Sequence, residues 1–237
     1  MDIKEIDTKY IQARKQLLEY RIKDNELVSK AITFFNQYYN LIEHPFRIED
    51  VEKLANIDFS IKMDFLHWFT INPKTEEETN KFYRFTPFEF FKNLFKNMDV
   101  MHYQILGENI IPEIRKIDGK TILDYGGGSG YLAILLDKLG YKVTFAEINK
   151  ISIEWMKYIT KELKLDIKVI DLHEKKITEN YDMIILKDVI EHLINPEPIL
   201  DDLSPKAKSL FIYPNKVEKE EDYLPMHFGY ELKNGKT

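Results

Sequence analysis

The glycine-rich turn at residues 124–130, DYGGGSG, constrains the fold of this chain more than any other segment. The apolar run Thr121–Leu123 precedes the turn, and the helical pattern Tyr131–Leu139 follows it. A second strand, Tyr141–Ala146, then ends at Glu147. Glycines let the backbone turn tightly and let a ligand approach it closely. The stretch therefore predicts the first β–α–β half of a nucleotide-binding fold, with the turn and the helix N-terminus facing the ligand.

The alternation of strand and helix continues after this unit. Strands are predicted at Ile167–Ile170, Tyr181–Leu186 and Ser209–Tyr213, and helices at Ile151–Leu163 and Glu197–Leu203. The second of these strands is a continuous apolar run, which is typical of a buried parallel strand. We therefore expect an α/β fold of the Rossmann-like type, a mostly parallel sheet with helices on both faces.

The N-terminal half has a different composition. Of the nine glycines only Gly107 precedes residue 117, whereas twelve of the fifteen phenylalanines do. A long stretch with little glycine and many aromatic residues fits helices better than a sheet with tight turns. We therefore expect an all-helical N-terminal region over residues 1–116, which would act as a cap and substrate region, and an α/β domain over residues 117–237.

Three segments of the N-terminal region bear on the later argument. Residues 60–70 are predicted as a helix, and residues 74–81 as a solvated link or as the first turn of the next helix. Thr86 and Pro87, followed by Glu89, have the residue types of a helix start with a capping box. A further helix is predicted over Val100–Lys116, with a restart at Pro112.

Composition narrows the class of protein. The 237 residues are 44% apolar, enough for one large domain or for a domain plus a smaller one. Lys plus Arg is 34 and Asp plus Glu is 40, and the net charge of −6 disfavours binding of nucleic acid through bulk positive charge. The absence of cysteine excludes disulfides, thiolate metal ligands and a cysteine nucleophile. No signal peptide or membrane span is predicted, so the expected location is the cytoplasm.

The spacing of the glycines separates two kinds of nucleotide site. A dinucleotide site has the pattern G-x-G-x-x-G, and counting from Gly126 its third glycine position is occupied by Tyr131. The pattern that is present is D-x-G-x-G-x-G, formed by Asp124, Gly126, Gly128 and Gly130. A nicotinamide-dependent dehydrogenase is therefore disfavoured.

This pattern resembles motif I of the class I S-adenosylmethionine-dependent methyltransferases. Two later features are similar to the same family: the acid that closes strand two, Glu147, and the run DVIEHLINPEPIL at residues 188–200. The latter is similar to the small-molecule branch, and the resemblance covers about residues 117–230. It implies S-adenosyl-L-methionine as cofactor and methyl transfer to an oxygen, nitrogen or carbon atom of a small molecule. The alternative is a non-catalytic or regulatory protein of the same fold that binds the cofactor or a partner chain.

The resemblance also implies roles for individual residues. Glu147 would accept hydrogen bonds from the two ribose hydroxyls, and Asp124 would orient the glycine turn or meet the methionine amino group. Adenine would lie near Asp171 and Leu172, and the methionine side near the end of strand four. The full set of predicted cofactor contacts is Asp124, Gly126, Gly128, Gly130, Glu147, Ile148, Asp171, Leu172, Leu186 and Lys187.

The chemistry of methyl transfer suggests further residues. An in-line displacement from a sulfonium mainly requires a positioned acceptor, and a general base is needed only where the acceptor carries a proton that must leave. His192 is the predicted base because it follows strand four on the ligand side of the sheet, with a structural histidine as the alternative. No metal site is predicted, since Glu191 and His192 lack a third ligand. Substrate contacts are expected from Tyr83, Arg84, Tyr103 and His227.

The absence of two sequence features reduces the range of possible methyl acceptors. The residues after strand four are Lys187-Asp188-Val189-Ile190, which do not form the N/D-P-P-Y/F motif of enzymes that methylate adenine or glutamine amide nitrogen. The absence of cysteine excludes the covalent cytosine-C5 mechanism. The expected partner is therefore a small-molecule acceptor, and neither a membrane nor nucleic acid is expected.

The end of the sheet gives a further expectation. The family usually adds a helix and two strands after strand five, whereas 24 residues follow Tyr213 here, so strands six and seven are expected to be absent. An exposed sheet edge of this kind, or the helical region, offers a route to a homo-oligomer.

Overall fold

Five parallel strands form the centre of the structure, which is a computed structural model describing residues 66–86, 90, 93, 109–213 and 228. The strands are β1 (Thr121–Tyr125), β2 (Lys142–Glu147), β3 (Ile167–Asp171), β4 (Tyr181–Lys187) and β5 (Ala207–Tyr213). Their order is β3-β2-β1-β4-β5, and every neighbouring pair is parallel. The predicted Rossmann-like fold class is confirmed. The strand order reverses next to β1, and ligands of such sheets bind at this switch point.

Five α-helices that accompany the strands lie wholly within the described part of the chain. They are α1 (Glu76–Phe85), α2 (Ile111–Arg115), α3 (Tyr131–Lys138), α4 (Lys150–Glu162) and α5 (Glu197–Leu203). Short 3-10 turns occupy Ile190–His192 and Ser204–Lys206, and residues 66–71 are also helical. The expected domain boundary after residue 116 falls between α2 and β1 and stays a prediction.

Each face of the sheet carries its own buried cluster, because successive side chains of a strand point to opposite faces. Ile122 and Phe145 pack with Trp155 of α4 on one face. Leu123 packs with Leu200 of α5 on the other. Burying one such side chain contributes about 1.5–3 kcal/mol. The two clusters therefore hold the sheet between helices and leave its carboxyl edge for a site.

Asp182 fixes the opposite, amino edge of β1 and β4. Its Oδ2 accepts hydrogen bonds from the backbone N–H groups of Lys120 and Thr121, at 2.8 and 2.9 Å. The Lys208 ammonium, 2.6 Å away, and these N–H donors hold the pKa of Asp182 well below its usual range. Asp182 of β4 therefore binds the start of β1, and this contact holds together the two strands that flank the switch point.

Helix α1 begins with a complete capping box. The Glu78 N–H donates to the Thr75 hydroxyl at 3.2 Å, and the Thr75 N–H donates to the Glu78 carboxylate at 3.1 Å. Of the two alternatives for residues 74–81, the first turn of a helix is confirmed.

Thr86 follows the last residue of α1, and its N–H donates to the Phe82 carbonyl at 3.0 Å. The helix start predicted at Thr86 depends on residues 87–89, which lie outside the described part of the chain. The predicted Val100–Lys116 helix is described only from residue 109, where Pro112 falls in the first turn of α2. The helices predicted before residue 66 and any strand after residue 213 also lie outside the described residues.

Within the described residues, every helix is too short or too polar to cross a bilayer.

Candidate active site

A cleft of about 270 Å³ lies at the carboxyl edge of the sheet, beside the switch point. Helix α1 forms one wall, the glycine turn forms the floor, and the loops after β2, β3 and β4 form the remaining walls. The lining residues are Glu76, Asn80, Tyr83, Asn93, Tyr125, Gly126, Gly128, Glu147, Ile148, Asn149, Ser152, Leu172, Asp188, Val189, His192, Leu193 and Ile199.

The glycine turn needs glycine for two different reasons. Gly128 has φ 56°, in the left-handed region, and its N–H points at the Glu147 carboxylate. Gly130 has φ 75° and precedes α3, where an added Cβ would lie 1.8 Å from the Met156 sulfur. The turn therefore has a backbone conformation that residues with a side chain rarely adopt, and it also packs closely against α4.

Glu147 is the buried carboxylate of the cleft, only 7% exposed. Its Oε2 accepts from the Gly128 N–H at 2.8 Å, and its Oε1 accepts from the N–H groups of Ile148 and Asn149 at 2.6 and 2.9 Å. Three backbone donors stabilise the ionised form, and a carboxylate has further lone pairs that can accept hydrogen bonds. Its position fits the predicted contact with a ribose diol.

Asp124 lies beneath the glycine turn and is 2% exposed. Burial raises its pKa to about 7; the Lys187 ammonium opposes this, the Glu147 charge adds to it, and the Ala133 N–H opposes it. Among the described residues, none donates a hydrogen bond to its Oδ2. A cationic ligand group nearby would favour the ionised form, which fits a methionine ammonium. Glu147 lines the cleft and suits the ribose end of S-adenosylmethionine, whereas Asp124 lies beneath the glycine turn and does not line the cleft.

Of the two residues predicted to contact adenine, one lines the cleft and the other does not. Leu172 lines the cleft together with Ile148, and the Leu172 N–H donates to the Glu147 carbonyl at 2.9 Å. The Asp171 side chain instead forms an ion pair with Arg84 at 2.6 Å. Arg84 also donates to the Ile148 carbonyl at 2.9 Å and is 6% exposed. Arg84, predicted to contact substrate, is thus placed behind the loop after β2 and does not line the cleft.

The end of β4 also differs in detail from the prediction. The Leu186 side chain is fully buried in the cluster beneath α5. Lys187 pairs with Asp188 at 2.5 Å, and Asp188 has φ 54°. The side chains that line the cleft here belong to Asp188 and Val189, which the sequence did not single out as contacts.

The structure brings together two residues predicted separately, Tyr83 of α1 and His192 of the turn after β4. The Tyr83 Oη and the His192 Nδ1 are 2.8 Å apart, and the two rings meet edge to face with centroids 5.3 Å apart. Both residues line the cleft. The other predicted substrate residues, Tyr103 and His227, lie outside the described residues.

Asn149 is a site residue that sequence reasoning missed. Its Oδ1 accepts from the Ile151 and Ser152 N–H groups and caps α4. Its Nδ2 donates to the carbonyls of Tyr83 and Thr86, at 2.7 and 2.8 Å. An Asn before a helix signals a cap, but nothing in the sequence signals the link to α1.

Comparison with known proteins points to one family. A family model described as a methyltransferase domain matches residues 103–230. A ubiquinone biosynthesis O-methyltransferase from Hydrogenovibrio crunogenus is 30% identical over 94 residues, which are 38% of this chain. The chain covers 39% of the length of that curated relative.

Parts of this chain are also similar to solved structures. A SAM-dependent methyltransferase from Aquifex aeolicus is 22% identical, with 65% of this chain and 80% of the other covered and a TM-score of 0.43. TehB from Haemophilus influenzae is 26% identical, with 51% and 42% covered and a TM-score of 0.39.

Proposed function

Because this chain belongs to the family of class I S-adenosylmethionine-dependent methyltransferases, we propose that it methylates an oxygen, nitrogen or carbon atom of a small molecule. The family match supports the predicted enzyme class and cofactor. The observation that carries the proposal is the single cleft that Glu147 and His192 both line. One side of this cleft suits the cofactor, and the other holds a histidine suited to proton transfer.

The cofactor side is built from the glycine turn and the loops after β2 and β3. S-adenosylmethionine, when bound, supplies a methyl group already activated by its attachment to a sulfonium sulfur. Glu147 would hold the ribose hydroxyls, and Ile148 and Leu172 would flank the adenine. Asp124 is a buried carboxyl group beneath the glycine turn, and an ammonium group at the amino-acid end would favour its ionised form.

The acceptor side is built from α1 and the turn after β4. Glu76, Asn80 and Tyr83 are spaced by four and three residues, so they share one face of α1, and all three line the cleft. Val189 and Leu193 line the cleft from the loop after β4. An acceptor bounded by these walls meets an apolar surface with a few polar groups, as small-molecule sites usually provide.

His192 supplies the proton acceptor of the proposed reaction. A hydroxyl or amine acceptor must lose a proton during methylation, and an imidazole near neutral pH is suited to take it. The curated relative is named for an O-methyl transfer, so a hydroxyl acceptor is the first to test on this chain.

Calorimetry with S-adenosylmethionine and S-adenosylhomocysteine tests the proposal. The wild type is expected to bind both ligands, and Glu147→Gln is expected to bind about 10–100-fold more weakly, because a hydrogen bond to a charged group contributes about 1.5–3 kcal/mol. Glu179→Gln, at the exposed end of an ion pair with Lys168, is the matched control and should bind normally.

Turnover is then measured as formation of S-adenosylhomocysteine with phenols, aliphatic alcohols, amines and activated carbon acids. Failure of the wild type to bind the cofactor would overturn the proposal. Binding without turnover on every acceptor would favour the regulatory alternative.

A further inference from the structure

We propose that Tyr83 is a positioning residue for His192 and fixes the tautomer in which Nδ1 carries the proton. In that form Nε2 is the basic nitrogen and takes the proton of the acceptor. The inference rests on the proposed function, because it assigns His192 as the base of that reaction. It goes beyond the proposed function because it assigns Tyr83, a residue of α1, a role in proton transfer.

The contact between the two side chains is direct. The Tyr83 Oη lies 2.8 Å from His192 Nδ1, a normal hydrogen-bond length, although the residues are 109 positions apart in the chain. The rings meet at 68°, so the phenol approaches the imidazole edge to face. Because both residues line the cleft, their pairing lies where an acceptor would bind.

The hydrogen bond can run in either direction, and the two directions have opposite consequences. If the Tyr83 hydroxyl donated to Nδ1, the neutral ring would carry its proton on Nε2 and could not accept another there. If the His192 Nδ1–H donates to the phenol oxygen, Nε2 has the lone pair that a base needs. Proton transfer from the acceptor therefore requires the second arrangement.

The same hydrogen bond is retained during the reaction. The proton would leave the acceptor atom and bond to the Nε2 lone pair, and the electron pair of the broken bond would stay on the acceptor atom. The acceptor atom would form its bond to the methyl carbon as the bond from that carbon to the sulfonium sulfur breaks, with the electron pair of the latter left on sulfur. The ring is then an imidazolium with protons on both nitrogens. Its Nδ1–H continues to donate to the Tyr83 oxygen, and the Nε2 proton is later lost to solvent.

The surroundings of Tyr83 hold its ring in place. Phe82 lies edge-on with centroids 5.2 Å apart, and the Trp68 ring lies 6.2 Å away. The Tyr83 carbonyl accepts a hydrogen bond from Asn149 at 2.7 Å, which links this turn of α1 to the loop that follows Glu147. The phenol oxygen is thus presented to His192 by a fixed backbone and a packed ring, as a positioning role requires.

Nitrogen-15 NMR of the full chain, without cofactor or acceptor, tests the tautomer directly. His192 is assigned from the signal that His192→Gln removes. In the wild type we expect a neutral ring protonated on Nδ1, and in Tyr83→Phe we expect a shift of the population toward Nε2 protonation. A wild-type ring protonated on Nε2, or a tautomer unchanged in Tyr83→Phe, would overturn the inference.

Kinetics provide a second, independent readout. Tyr83→Phe is expected to lower kcat about tenfold at saturating acceptor, the cost of one hydrogen bond to a charged group, and to leave cofactor affinity unchanged. Added to His192→Gln, it should have no further effect on kcat. Tyr181→Phe removes a phenol oxygen that faces Glu179 at the other edge of the sheet and is the control.

Equal melting temperatures of the variants exclude a folding defect. An active enzyme with unaltered kcat in Tyr83→Phe would sink the positioning role and leave the proposed function standing. Additive effects, with Tyr83→Phe lowering kcat by the same factor in the His192→Gln background as in the wild type, would also sink it. A wild type that does not bind the cofactor sinks the proposed function instead.

Discussion

At the scale of single residues, Asp124 shows how burial changes the protonation of a carboxyl group. Its pKa is raised to about 7, chiefly by burial, so the folded protein keeps a proton that the unfolded chain loses near pH ~3.9. Unfolding then releases a proton between these two pH values. We expect the free energy of unfolding to fall as the pH rises from about 4 to 7, by at most ~1.4 kcal/mol per pH unit. Above the folded-state pKa the contribution of Asp124 to the free energy of unfolding no longer changes with pH.

Asp124→Asn should remove this slope, because an amide does not titrate in that range. The measurement is urea unfolding of wild type and variant at a series of pH values. Asp201→Asn, on the exposed side of α5, is the control and should keep the wild-type slope. A slope that is equal in wild type and Asp124→Asn would show that the pKa of Asp124 is not raised in the folded state.

The residues that could be predicted from the sequence belong to one local unit. The glycine turn and Glu147 both lie in the β1–α3–β2 segment, and the pairing of β1 with β2 fixes their relative positions. Tyr83 and His192 were each predicted, but their contact was not, since 109 residues separate them. The pairing of Arg84 with Asp171 spans 87 residues and was likewise missed. No periodicity in the sequence sets the register between α1 and the sheet.

At the scale of elements, polar contacts join α1 to the loops at the carboxyl edge of the sheet. Arg84 carries one of them, with side-chain exposures of 8% for Arg84 and 16% for Asp171. Breaking a mostly buried ion pair by removing one partner costs about 3–5 kcal/mol, because the remaining charge is left unpaired. We expect Arg84→Met to lower the free energy of unfolding by an amount near the lower end of this range.

A double-mutant cycle separates the ion pair from the other contacts of Arg84. Asp171→Asn removes the partner charge, so the double variant should be less destabilised than the sum of the single variants, as measured by urea unfolding. Lys81→Met, at an exposed position of the same helix, should change stability by less than about 0.5 kcal/mol. Additive effects of the two substitutions would show that the pair has no coupling energy.

The strands and helices between residues 121 and 213 could be predicted within about two residues, because buried parallel strands are continuous apolar runs. The predicted helix over Glu197–Leu203 is the observed α5. The start of α1 was harder, because its first turn consists of Glu76, Glu77 and Glu78 and has no apolar periodicity. The Thr75–Glu78 capping box was present in the sequence, but a polar segment of this kind also fits a solvated link.

At the scale of the whole molecule, the loop after β2 lies between the cofactor side of the cleft and α1. Glu147, the last residue of β2, faces the cleft, whereas the Ile148 carbonyl and the Asn149 side chain of the loop hold the end of α1. A ligand that orders this loop should therefore also stabilise α1, since anything that binds only the ordered state shifts the equilibrium toward it. The wall of the acceptor side would then respond to occupation of the cofactor side.

Hydrogen exchange with and without S-adenosylhomocysteine tests this coupling. We expect the ligand to slow amide exchange in the glycine turn and also in α1, where stabilisation reaches about 2.7 kcal/mol at a ligand concentration of 100 times Kd if opening of α1 requires release of the ligand. In Arg84→Met the protection of the glycine turn should persist and that of α1 should largely be lost, because the tie to the Ile148 carbonyl is absent. The amides around Asp182, at the opposite edge of the sheet, serve as an internal reference. If α1 exchanges at the same rate with and without ligand in the wild type, the two sides of the cleft are independent, and the contacts of Arg84 and Asn149 only support the fold.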